Sequence, residues 1–144
     1  MARATVGPVT EAMLTLLRAI SLGGAVTMPV GDGADPNHEP PYLILMGGSS
    51  GVIEGSMVES DLDADEELRY QVNGCGKTRE QAQWASDKAC GVLTKSALTT
   101  ALSASSRVCQ YCFLDFHREP RNDLGVTEPL WESVDQYLVK TTPA

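Results

Sequence analysis

One short stretch constrains the fold more than any other. Leu68, Tyr70 and Val72 alternate with Arg69, Gln71 and Asn73, the mark of a strand with one buried face. The chain then passes Gly74-Cys75-Gly76 and reaches Thr78, with Gln81 three residues later. That spacing is a capping box, in which a threonine hydroxyl and a glutamine side chain satisfy the first free amides of a helix. A strand that turns directly into a helix calls for a sheet with a helix lying against it. The helix is expected to run to about residue 95, with Ala82, Ala85, Ala89, Val92 and Leu93 on one stripe. Small side chains on that stripe let it lie close to a sheet. Trp84 falls on the opposite side at about 100° per residue.

The other elements follow from the same periodicities. Val9, Ala12, Met13, Leu16, Leu17 and Ile20 make an amphipathic helix over residues 8–22, opened by Pro8 and closed by Gly23-Gly24. Residues 23–41 are rich in glycine and proline and read as a loop with a short extended piece near Ala25 to Val30. Tyr42-Leu43-Ile44-Leu45-Met46 is a continuous apolar run closed by Gly47-Gly48, a strand that wants cover on both faces. Another subunit is one source of that cover. Residues 97–106 read as a fraying helix end or loop, and Arg107 to Phe116 as a strand ending before turn residues at 119–123. From Leu130 to Lys140 two patterns compete. Leu130, Val134, Tyr137 and Leu138 fit a helix, whereas Tyr137, Val139 and Thr141 alternate as in a strand. The expected fold is α+β: one domain over residues 1–144, a mostly antiparallel sheet with an N-terminal and a central helix packed on one side.

Charge is concentrated. Of 19 acidic residues, seven lie between Glu54 and Glu67, a stretch without any base; the rest of the chain carries 12 acids against 11 bases. This reads as a solvated acidic loop containing Asp61, Asp63, Asp65, Glu66 and Glu67. A net charge of −8 and a pI near 4.6 lack the basic footprint of a general nucleic-acid binder. No apolar run approaches the roughly 20 residues of a membrane helix. The opening Met1-Ala2-Arg3 and the breaks at Pro8, Glu11 and Arg18 read against a secretory signal.

Several motifs imitate chemistry without completing it. Gly76-Lys77-Thr78 sits where a phosphate loop belongs, yet the glycine required five positions earlier is Gln71. Asp61, Asp63 and Asp65 resemble the start of a calcium loop, but Glu66 and Val72 stand where glycine and glutamate are needed. Cys109 and Cys112 have C-x-x-C spacing; three apart on a regular strand they would point to opposite faces, so buried, reduced thiols are expected. His38 and His117 have no partner pattern for nucleophilic catalysis. No catalytic residue, cofactor or metal site emerges.

Three blocks together resemble a known family. They are Pro41-Tyr42-Leu43-Ile44-Leu45 with its glycine turn, acidic stretch and Leu68-Arg69-Tyr70-Gln71-Val72; Thr78-Arg79-Glu80-Gln81-Ala82-Gln83-Trp84-Ala85-Ser86-Asp87-Lys88; and Tyr137-Leu138-Val139-Lys140-Thr141-Thr142-Pro143-Ala144. Over about residues 8–144 the chain resembles the tail terminator (minor tail) proteins of long non-contractile-tailed phages and prophages of actinobacteria. It departs from their pattern in its cysteines and in the insertion at 97–106. The resemblance implies a structural virion protein, not an enzyme. It would form a hexameric ring at the head-proximal end of the tail, stop tube polymerisation and offer the surface for head–tail joining. Its partners would be itself, the major tail tube protein and a neck or head-completion protein, with DNA only passing through the lumen. The resemblance also implies that the last segment is a strand. Interface candidates are Tyr42, Ile44, Trp84 and Lys88, with the acidic stretch in an axial or lumenal position. The alternatives are a neighbouring neck ring protein of the head-completion or stopper type and a small nucleotide-binding enzyme built on Gly76-Lys77-Thr78.

Overall fold

A computed structural model describes residues 6–54, 65–105, 107–122 and 130–143. The first helix, α1 (Val6–Arg18), lays Val9, Met13 and Leu17 into the core. A small antiparallel hairpin follows, β1 (Ser21–Gly23) with β2 (Val26–Thr27). The main sheet comprises β3 (Val30–Asp32), β4 (Tyr42–Glu54), β5 (Asp65–Gly76), β6 (Arg107–Asn122) and β7 (Trp131–Pro143), in the order β3-β4-β5-β7-β6. Only the β3–β4 pair is parallel. Helices α2 (Arg79–Val92) and α3 (Lys95–Ala101) join α1 on one face of this sheet, around Leu43, Leu45, Leu68, Tyr70, Val72, Tyr137 and Val139. The α+β expectation therefore holds.

The final segment is a strand, and it lies inside the sheet between β5 and β6. Its apolar spacing looks helical because Leu138 is buried between Tyr137 and Val139, one interruption in a strand whose burial otherwise alternates. Three strand boundaries are corrected. β4 does not stop at Gly47: a bulge carries it on, with Gly47 at φ 108° and no side chain to meet the Arg69 carbonyl, which a Cβ would approach to 2.7 Å. β6 runs past Phe116 to Asn122, and a register shift between Arg118 and Arg121 steps over Pro120, where a residue without an N–H costs no ladder bond. The acidic stretch is not all loop, since Glu54, Asp65, Glu66 and Glu67 belong to the β4–β5 ladder; residues 55–64 lie outside the described residues. Asp61 and Asp63 lie outside the described residues. The serine- and threonine-rich stretch at 97–106 contains most of α3, capped by Thr94, and a 3-10 turn at Ser103–Ser105.

Candidate assembly interface

The turn into α2 is built for close packing. A Cβ on Gly76 would come within 2.5 Å of the Ala82 nitrogen, and one on Gly74 within 3.0 Å of the Ala82 carbonyl oxygen. The glycines that suggested a phosphate loop therefore let the helix sit on the strand. The helix N-terminus is also closed by its own side chains. Thr78 Oγ1 accepts from the Gln81 amide at 3.1 Å, and Gln81 Oε1 accepts from the Lys77 amide at 2.7 Å. Lys77 itself extends to Glu39, at 3.4 Å.

Seated this way, α2 buries Ala82, Ala85, Ser86 and Ala89 and turns Trp84 outward, where it remains 36% exposed. Lys88, one helical turn on, holds its ammonium 5.8 Å from the indole centroid, a cation–π contact. Both sequence candidates on this helix thus stand on one exposed face. Asp87 lies beside them and accepts from Gln83 at 2.8 Å.

Among the described residues, the opposite face of the sheet carries no helix. The β6–β7 register places Tyr111, Phe113 and Phe116 on this face, across from Lys140, Leu138 and Gln136. Phe113 is 46% and Phe116 49% exposed, while the Tyr111 and Phe113 rings tilt against each other at 5.3 Å. Local periodicity marks this segment as a strand without signalling that Phe113 and Phe116 stay open. β6 is the sheet's last strand, so nothing among the described residues covers them. Ile44 lies on the same face, half-buried. Tyr42 shares the face but is not available as an interface residue. It is 3% exposed, and its hydroxyl donates to Asp35 at 3.2 Å in the loop folded over it. Burial, together with the neighbouring Cys75 and Asp35, pushes the Tyr42 phenol well above its usual range.

Between the strands of this face lies a hollow of about 230 Å³, lined by Gly47, Arg69, Gln71, Asp115 and Gln136. Arg69 and Asp115 form an ion pair at 3.6 Å across it, both partly exposed. Near one end of the sheet, Glu67 accepts the Tyr111 hydroxyl; that hydrogen bond, then burial, pushes the phenol up to about 12. Of the acidic candidates, Glu67 is therefore held within the sheet.

Two clusters on the helical side were not legible in the sequence. Asp135 is 1% exposed, and its carboxylate accepts from Ser86 Oγ on α2 and from His117 Nδ1 on β6. Asp135 lies between Ser86 and His117, so the three tie β6, β7 and α2 together without aligning serine to histidine as a nucleophilic triad requires. The C-x-x-C reading is corrected as well. A bulge between Cys109 and Tyr111 adds one residue, so Cys109 lies opposite Thr141 and Cys112 opposite Val139, two apart on β7 and hence on the same face. All four cysteines are free thiols. Burial pushes Cys109 up to about 11 and Cys75 and Cys112 up to about 12, which holds them as protonated, unreactive thiols. Cys90 is exposed. Among the described residues no group of three or more His, Cys, Asp or Glu side chains is arranged to hold a metal, and no helix is long and apolar enough to cross a membrane.

Compared with protein-family models and with curated proteins, the chain matches none.

Proposed function

We propose that this chain is a structural virion protein that forms a hexameric ring at the head-proximal end of a long non-contractile phage tail, stops tube polymerisation there and provides the surface for head–tail joining. The observation that carries the reading is the helix-free sheet face, with Phe113 and Phe116 exposed along its outermost strand and Tyr111 half-buried beside them. Contiguous exposed aromatics on an otherwise well-packed domain mark a surface made for another protein. The α+β architecture is the one the family resemblance implies, and the closed N-terminus of α2 counts against nucleotide chemistry as the rival. The partners in this reading are further copies of the chain, the major tail tube protein and a neck protein. DNA passes through the lumen, where an acidic stretch repeated in every subunit would repel phosphate rather than bind it.

The test is tube assembly. Tail tube protein from the same genome, polymerising in vitro, should give tubes that stop growing and carry a ring at one end once this protein is added, as seen by electron microscopy. Tubes of unchanged length with bare ends would reject the terminator role. Rings that bind a connector complex but never a tube would assign the chain to the neck instead.

A further inference from the structure

A head-to-tail ring joins two different patches on each subunit. Resting on the ring reading, we propose that Trp84 of one copy seats in the Gly47 hollow on the open sheet face of the next, with Lys88 meeting Asp115 and Asp87 meeting Arg69. Four observations converge on this pairing. Among the described residues the exposed large apolar side chains are Val26, Trp84, Phe113, Leu114 and Phe116. Of these, Trp84 stands on the helical layer and Phe113 and Phe116 on the far side of the sheet, so one knob and one apolar surface lie on opposite sides of the subunit. The hollow, at about 230 Å³, is smaller than the roughly 300–1,000 Å³ of small-molecule sites and suits a single side chain.

The charges match in pairs. The hollow presents the carboxylate of Asp115 and the guanidinium of Arg69, with side chains 39% and 62% exposed. The α2 face presents the ammonium of Lys88 over the indole and the carboxylate of Asp87 in the same helical turn. Docking one on the other exchanges an internal, solvent-screened Arg69–Asp115 pair for a four-charge network between copies, with the indole face toward a guanidinium. The indole on the helical side and the hollow on the open sheet face lie on different surfaces of the subunit, so copies join through two unlike patches. The contact is therefore heterologous, as a ring needs.

The experiment is sedimentation of the purified chain from micromolar to millimolar concentration, with urea unfolding run in parallel to confirm that each variant folds. Trp84→Ala should weaken self-association on the order of tenfold or more while leaving the unfolding midpoint in place. Lys88→Asp and Asp115→Lys should each weaken it, and the double swap should restore it. Rings that form equally well with Trp84→Ala and with either single swap overturn the pairing and leave the ring reading standing. Weakening without rescue in the double variant also overturns it. A wild-type chain that stays monomeric throughout overturns both.

Discussion

At the scale of single residues, the consequential group is Asp135. A carboxylate removed from water must be matched by donors, and here Ser86 and His117 supply them. Asp135→Ala should cost about 2–3 kcal/mol, because it leaves a buried hydroxyl and a half-buried imidazole without their acceptor. Ser86→Ala, which removes one hydrogen bond, should cost about 1 kcal/mol. Urea midpoints at unchanged slope check both values. The thiols predict a second behaviour. Burial holds Cys109 and Cys112 up to about 11 and 12 in the folded chain, above the range of about 8–9 usual for a free thiol, so the folded state keeps protons that the unfolded state releases. Stability from this source is complete below pH 9 and is lost as pH rises toward 11–12. Unfolding midpoints should fall across that window, and less so in a Cys109→Ala, Cys112→Ala background. At pH 8, a thiol reagent should modify the exposed Cys90 first and reach Cys75 and Cys109 only on unfolding.

At the scale of elements, the seat of α2 on β5 decides how Trp84 is presented. Gly76→Ala would put a methyl carbon 2.5 Å from the Ala82 nitrogen, which is backbone and cannot rotate away. The helix must shift, at a cost of about 1–3 kcal/mol. Lys77→Ala, in contrast, removes an exposed contact with Glu39 and should change stability by less than about 0.5 kcal/mol. Neither ATP nor GTP should bind the wild type measurably in calorimetry. Saturable binding that disappears in Lys77→Ala would revive the nucleotide reading. Thr78→Ala should cost about 1 kcal/mol, the usual value of an N-cap.

At the scale of the molecule, the two sides of the sheet differ in kind. One is packed under three helices; the other holds aromatics, a hollow and paired charges open to solvent. The acidic stretch adds a third feature, since it carries seven of the 19 acidic residues and no base. Converting Asp61, Asp63, Asp65, Glu66 and Glu67 to amides should leave the subunit folded, while joining to the neck or passage of DNA is impaired. Titres of phage assembled with that variant are the readout. Unchanged titres would reduce the stretch to a solubility feature. Any steering it provides should weaken with salt, over a Debye length of about 8 Å at physiological ionic strength.

What the sequence determined alone is what depends on near neighbours. The α1 stripe, the capping box at Thr78, the Leu68–Asn73 alternation and the outward phase of Trp84 all follow from side chains within a turn or two of one another. Tertiary structure decided everything that depends on a distant strand. β7 breaks its alternation only at Leu138, buried on the open face between Tyr137 and Val139, and its place between β5 and β6 decides that it is a strand. The faces of Cys109 and Cys112 were set by a bulge, an irregularity in pairing with β7 that spacing does not record. The hollow was equally hidden, because Gly47, Arg69, Asp115 and Gln136 come from four strands and meet only when the sheet is in register. Local periodicity reports which side of an element is apolar. It carries no information on which partner lies opposite, since that is chosen by contacts between residues far apart in the chain.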